Sequence, residues 1–503
     1  MSGRTAASGR PGRSVGSTLT GLGVALSLAF GAIAAGAGYW QVLRSGELAS
    51  AADDAAVVAA ARQVVRGPIT DREGTALAWS DRDANGEPYR VYASRSLSGV
   101  IGYASQLWGS AGLERAYDAQ ISGVVSADPL RDLLRKFEAV PSDPQALQTT
   151  LSQPLQEAAV GQLGAGHGAI VMLDPRTGEV LVLASTPVFD ASAVADPATS
   201  RGTFEALRSD ASQPLLPRAT QGLYVPGSVF KLVTAIAGLE SGAITPATSF
   251  AEQPAAERDG LLVSGFRIRD GHHAATGSRA LTFPEAVEVS CNIYFALTGL
   301  ETGGDALAAS AEELGFGAPL PFDLPTERSQ LTNGGGDFGG GFADAVELAN
   351  AAYGQAETLV TPLQMAIVAA AIANDGVIMA PHLVRSFSGR AGTTLVEPET
   401  WRRVISSSVA AEITAAMVRA VEGDLGRHFT SGAQVSGVHV AGKSGTAELG
   451  GTAEPHSWFV GFAPADNPQV VIAVVVEHGG SGGARAAPIA GRLLGQFFDG
   501  VGR

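Results

Sequence analysis

The chain has 503 residues and almost no lysine: Lys136, Lys231 and Lys443 are the only three, so 31 of its 34 basic residues are arginine. A residue type used so sparingly makes each of its positions informative. Cysteine is scarcer still. Cys291 stands alone, which excludes an internal disulfide and any cysteine-built zinc module. Basic charge is outweighed by 49 Asp and Glu, and the net charge of −15 argues against nucleic acid as a main partner. Charged residues make up 17% and aromatic ones 6%, against 45% hydrophobic residues. That leaves enough apolar material for a large core and excludes a disordered or collagen-like chain. The 64 glycines are scattered without a linker-like or triplet repeat. Length sets roughly two to four domains at about 100–200 residues each.

The N-terminus departs from the acidic balance. Arg4, Arg10 and Arg13 precede the first acid, Glu47, and no charge lies between Arg13 and Arg44. Within that gap Thr18 to Gly38 is mostly apolar, followed by Tyr39 and Trp40. About 20 apolar residues span a bilayer as a helix, aromatics suit the interface, and arginines mark the cytoplasmic side. The pattern predicts a cytoplasmic tail at 1–17, a transmembrane anchor at 18–40 and an exported remainder, hence a single-pass protein of the cell membrane. The alternative is a cleaved signal peptide, since Ala35-Gly36-Ala37 is a small-residue site of the kind signal peptidases cut.

From Leu48 to about Gly161 the pattern is irregular, with short strand-like and helical pieces. Beyond it the periodicity sharpens. Ala169–Leu173 and Val180–Leu183 flank Asp174-Pro175-Arg176-Thr177-Gly178-Glu179, predicting a β-hairpin. Pro362 to Ala373 reads as an apolar helix. Val440–Ala447, Ser457–Ala463 and Val470–Val476 read as successive antiparallel strands, with a closing helix over Pro488–Phe498. The region from Gly166 onward is expected to form one α/β domain, an antiparallel sheet with helices on its faces.

Three motifs in that region carry chemistry. Pro226-Gly227-Ser228-Val229-Phe230-Lys231 opens an apolar helical run. Residues three apart share a helical face, so Ser228 and Lys231 would project together near N–H dipoles that favour developing negative charge. Serine is a weak nucleophile until a base takes its proton, and a buried lysine can be that base where an arginine cannot. The bland alternative is a capping serine beside a surface lysine. Ser290-Cys291-Asn292 follows 62 residues after Ser228. There Ser290 could relay a proton and the Asn292 amide could bond a peptide, although S-x-N is common by chance. Cys291 is expected to be a small buried packing residue. Gly442-Lys443-Ser444-Gly445-Thr446-Ala447 follows 153 residues after Ser290, on a strand. Glycines admit a substrate backbone, and Lys443, Ser444 and Thr446 make a patch for a carboxylate; the alternative is a polar edge strand guarded by lysine.

In this order and spacing the motifs resemble the penicillin-recognising serine acyltransferases, the superfamily of penicillin-binding proteins and serine β-lactamases. The resemblance covers about Gly161 to Phe498. Upstream, Arg66-Gly67-Pro68-Ile69-Thr70-Asp71-Arg72-Glu73-Gly74, Leu77-Ala78, Gly112-Leu113-Glu114, Asp118 and Ser122-Gly123 resemble the pedestal, a dimerisation-type domain, of class B penicillin-binding proteins. Gly354-Gln355, Thr361–Ala366 and Trp458–Pro464 are similar to further stretches of that family's transpeptidase domain.

The resemblance implies an α/β transpeptidase domain of β-lactamase-like fold at 161–503, behind an anchor and a pedestal at 41–160. It implies peptidoglycan D,D-transpeptidation without a metal or cofactor. Ser228, Lys231 and Ser290 would be catalytic, and Asn292, Lys443, Ser444, Gly445 and Thr446 would bind a D-Ala-D-Ala stem peptide of nascent peptidoglycan. β-Lactams would trap Ser228, and a polytopic membrane glycosyltransferase would be the partner. A D,D-carboxypeptidase shares all three motifs. A serine β-lactamase would need a deacylating carboxylate, for which Glu347 is the candidate, and a β-lactam sensor would need cytoplasmic signalling mass. His272-His273 invites a metal reading, yet no ligand cluster surrounds the pair, and an exposed loop is expected there.

Overall fold

The computed structural model describes residues 65–123, 143–270, 279–425 and 430–500, together with the single positions Leu26 and Phe30. The expected tail at 1–17 and the expected anchor at 18–40, apart from those two positions, lie outside the described residues, as do His272 and His273. Among the described residues no helix is long and apolar enough to cross a membrane.

The centre of the fold is a five-stranded antiparallel sheet in the order Ala441–Ala447, His456–Ala463, Val470–Val476, Gly168–Leu173, Val180–Thr186. The chain leaves this sheet after its first hairpin at Thr186 and returns at Ala441, and its last strand, Val470–Val476, pairs with Gly168–Leu173 (Val471 opposite Leu173). Strands this apolar are stable only when both faces are covered. Alternation sends Val171, Leu173, Ala473 and Val475 to one face, where they join a core containing the Pro362–Ala373 helix, all twelve residues of which are buried. Ile170, Met172, Ile472 and Val474 point to the other face, packed with Leu155, Leu163, Leu493 and Leu494 from the helices Gln153–Leu163 and Ala486–Phe498. The hairpin, the three late strands and the two apolar helices thus stand where the sequence predicts them.

The upstream region is less separate than its sequence suggests. Its strands Ile69–Thr70, Ala76–Arg82, Pro88–Tyr92 and Ala146–Thr149 share a six-stranded mixed sheet with Val384–Gly389 and Gly392–Leu395, which arrive from far downstream. The boundary expected between 160 and 161 falls inside the Gln153–Leu163 helix, whose buried face belongs to the central sheet. The described stretches from Val65 onward belong to one compact unit. The pedestal-like motif holds this region together from within. Glu114, with no exposed surface, takes Arg66 at 2.7 Å and the equally buried Arg90 at 2.5 Å, while Arg66 also reaches Asp118 at 2.5 Å.

Candidate active site

The site forms at the edge of the central sheet, where among the described residues the strand Ala441–Ala447 has a partner strand on one side only. The nucleophile turn leans on that edge. Gly227, at φ +55°, begins a 3-10 turn over Gly227–Phe230, and the α-helix Lys231–Glu240 continues from it. A Cβ on Gly227 would lie 2.7 Å from the Thr446 carbonyl oxygen. One on Gly354, at φ +86°, would lie 1.8 Å from the Gly227 oxygen, and the Gly227 N–H donates to Gly354 O at 2.9 Å. Glycine at both positions is what lets the turn wedge between the Gly354 loop and the motif strand. Trp458, fully buried on the next strand, ties the approach by donating from Nε1 to Val225 O at 3.0 Å. Ser228 therefore sits in a tighter turn than the helix start expected for it. In a 3-10 turn residues three apart eclipse, so the pairing of Ser228 with Lys231 is preserved.

Lys231 is buried to 1% exposure, and its ammonium donates to Ser290 O at 2.5 Å, Asn292 Oδ1 at 2.6 Å and Ser290 Oγ at 3.3 Å. Burial pushes its pKa down to about 8, against the upward pull of the Asp270 carboxylate. Ser290 links the helices Phe283–Val289 and Asn292–Thr302 in a left-handed conformation (φ 62°, ψ 37°), strain of the kind found at functional sites. Its hydroxyl also accepts from Lys443 Nζ at 2.8 Å, and Lys443 donates in addition to Ser444 O at 2.9 Å. Burial, reinforced by the neighbouring Lys231 charge, holds Lys443 well below the usual lysine range.

A cavity of about 1310 Å3 opens over these groups and is lined by Ser228, Ser290, Asn292, Ser444 and Thr446, five of the eight residues picked from the sequence. The other three lie behind it. Lys231 and Lys443 are buried beneath Ser290, and Gly445 is packed against Pro226, where a Cβ would approach the Pro226 oxygen to 3.0 Å. Cys291 is buried and caps the Asn292–Thr302 helix by accepting the Tyr294 N–H at 3.3 Å. Burial pushes its thiol well up, so it is a packing and capping group. Glu347 lines the cavity, but its carboxylate accepts from Thr332 Oγ1 at 2.7 Å and from the Ala343 N–H at 2.6 Å. Among the described residues no group of three or more His, Cys, Asp or Glu is placed to hold a metal ion.

The sequence reading missed Asp270. It borders the cavity, and its carboxylate accepts the backbone N–H of Asn292 and, at 3.3 Å, of Ile293. No periodicity marks it, and the eye is drawn instead to the histidine pair just after it.

A serine on a tight turn at the cavity wall, two desolvated amines meeting at the Ser290 hydroxyl, and a sheet edge along the cleft equip it for acyl transfer. The fold and cleft together define the penicillin-recognising serine acyltransferases. More narrowly, the chain belongs to the penicillin-binding protein transpeptidase family: residues 168–495 match the penicillin binding protein transpeptidase domain, and residues 66–141 match the penicillin binding protein A dimerisation domain. It is 37% identical over 446 residues to the peptidoglycan D,D-transpeptidase PbpA of Mycolicibacterium smegmatis, covering 84% of this chain and 87% of the relative. With PbpA of Mycobacterium tuberculosis the identity is 33% over 451 residues, covering 85% and 88%. The structure resembles that of penicillin-binding protein A from M. tuberculosis as its imipenem acyl-enzyme, with a TM-score of 0.76, 31% identity and coverage of 87% and 99%.

Proposed function

We propose that the protein is a serine D,D-transpeptidase that cross-links peptidoglycan stem peptides through an acyl-enzyme on Ser228 and is inhibited by covalent β-lactam binding. The observation that carries this reading is the setting of Lys231. A neutral amine has two hydrogens, and the oxygens of Ser290 and Asn292 receive them. The lone pair is then left for the Ser228 hydroxyl, three residues earlier on the same face.

Ser228 Oγ attacks the carbonyl carbon between the two D-Ala residues while its proton passes to Lys231. The backbone N–H groups of Ser228 and Thr446 receive the oxyanion. The C–N bond then breaks, and a proton reaches the leaving D-Ala nitrogen through the Ser290 hydroxyl, which contacts both lysines. An amine from a neighbouring stem peptide attacks the ester, gives up a proton along the reverse route, and frees Ser228. Because Asn292 Oδ1 is engaged by Lys231, its Nδ2 is the group that holds the substrate amide carbonyl. Ser444 and Thr446 hydroxyls meet the terminal carboxylate, with the Lys443 charge behind them, and Gly445 keeps the nucleophile turn close to the strand. Relatives named peptidoglycan D,D-transpeptidase, and a solved relative captured as acyl-enzymes with penicillin G and with imipenem, support the assignment.

The same reading extends to the cell envelope. The apolar run at 18–40 would anchor the chain in the membrane, with the pedestal-like region and the transpeptidase domain on the outer side. A polytopic membrane glycosyltransferase would supply the strands to be joined. Fluorescent penicillin followed by peptide mapping tests the catalytic assignment: the adduct falls on Ser228 and is absent from Ser228→Ala. An adduct on another residue, or none, refutes it.

A further inference from the structure

The segment leading into Ser290-Cys291-Asn292 is bonded to that motif at several points. A helix over Gln253–Asp259 runs into a hairpin, Leu261–Val263 paired with Phe266–Ile268, which ends at Asp270 on the cavity wall. Gln253 Oε1 accepts the Leu281 N–H at 2.8 Å, and the Cys291 thiol donates to Glu257 at 3.3 Å. Asp270 makes the closest approach to the machinery. Its carboxylate takes the first two N–H groups of the Asn292–Thr302 helix, at the positive end of that helix. Asn292 Oδ1 and Ser290 O in turn hold the Lys231 amine.

We infer that Asp270 is a positioning residue for acyl transfer: its carboxylate locks the Ser290–Asn292 turn and, through that turn, fixes where the Lys231 amine stands. The inference rests on the transpeptidase reading above. It also explains how a residue in left-handed conformation can be held in one geometry, because the helix that follows it is clamped at its first turn. Among the described residues the charged and titratable groups facing Lys231 are Asp270, Lys443 and the Cys291 thiol, with the Phe295 ring 5.6 Å from its Nζ. Asp270 raises the Lys231 pKa within that set, so its removal acts on proton affinity as well as on geometry.

The scarcity of lysine makes a direct test practical, because full-length protein labelled with 13C at lysine Cε carries only three labelled side chains. Lys231→Arg identifies the Lys231 signal, and pH titration of that signal needs no substrate. In Asp270→Asn an amide oxygen still accepts the helix N–H groups, so the fold and melting temperature are retained while the Lys231 midpoint moves to lower pH. In Asp270→Ala the clamp is lost as well, and penicillin acylation of Ser228 falls roughly 10- to 100-fold, the scale of a misplaced catalytic group. A Lys231 midpoint unmoved in both variants, or acylation within about twofold of wild type in Asp270→Ala, overturns the inference. A wild-type protein that penicillin does not acylate counts instead against the transpeptidase reading, and the substrate-free titration still decides whether Asp270 acts on Lys231.

Discussion

Replacing Lys231 by arginine is the most direct probe of the chemistry. Arginine keeps the positive charge and the donors but does not give up its proton, so it removes the base and leaves the electrostatics. With the Lys231 pKa at about 8, about one-tenth of the wild-type molecules hold a free amine at pH 7 and half do at pH 8. The second-order rate of penicillin acylation therefore rises about fivefold from pH 7 to 8 and less than about twofold from 8 to 9. Lys231→Arg loses this dependence and acylates about 10²- to 10⁴-fold more slowly, the range for a lost general base. Stopped-flow labelling with a fluorescent penicillin reads both effects, with the adduct mapped to Ser228. Because Lys231 is fully enclosed, circular dichroism must show a folded variant, and Lys231→Ala serves where the guanidinium is not accommodated. A flat wild-type profile between pH 6 and 9, or a folded Lys231→Arg within about tenfold of wild type, refutes the reasoning.

Two further changes separate stability from chemistry. Ser290→Gly relieves a left-handed serine while removing the hydroxyl that both lysines contact. Its melting temperature stays within a few degrees of wild type because the strain relief of roughly 1 kcal/mol offsets the lost bond. Its acylation falls about 10²-fold, and full activity would show that Ser290 acts through its backbone alone. Glu114→Ala does the opposite: it strands the buried Arg90 and breaks the Arg66 pair, costing about 3–5 kcal/mol in urea denaturation. Labelling of the remaining folded protein at Ser228 is unchanged, and a loss below about 1 kcal/mol would show the cluster to be dispensable.

Stability also depends on pH through Lys231. Its folded pKa lies below the ordinary lysine value, so above about 8 the unfolded chain binds more protons, and stability rises with pH until the unfolded amine titrates as well. In Lys231→Arg the Lys231 share of that rise disappears, and the share from Lys443, whose pKa burial also depresses, remains.

Local pattern was enough to show much of this protein. Alternation and apolar runs located the hairpin at Gly168–Thr186, the three late strands and the Pro362–Ala373 helix, because those signals come from burial of neighbouring residues and need no distant partner. Composition made Lys231 and Lys443 conspicuous, and their neighbours pointed to a helix start and a strand, the first of which folding tightened into a 3-10 turn. Other features depend on where distant segments meet. Nothing in the runs near Ala146–Thr149 foretells that Val384–Gly389 will pair with it and merge the pedestal region with downstream chain. The depth of Lys443 beneath Ser290, the left-handed backbone at Ser290, and the seating of Gly227 against Thr446 all arise from the sheet edge, the Gly354 loop and the helix pair converging. Asp270 is the clearest case, an ordinary acid in a loop until folding brings it to the first turn of a helix 22 residues downstream. The sequence by itself therefore determined which groups could react and which segments would be strands or helices, since those follow from side-chain chemistry and short-range periodicity. Only the tertiary structure decided how buried, how strained and how protonated those groups are, because desolvation and backbone strain depend on neighbours drawn from all along the chain.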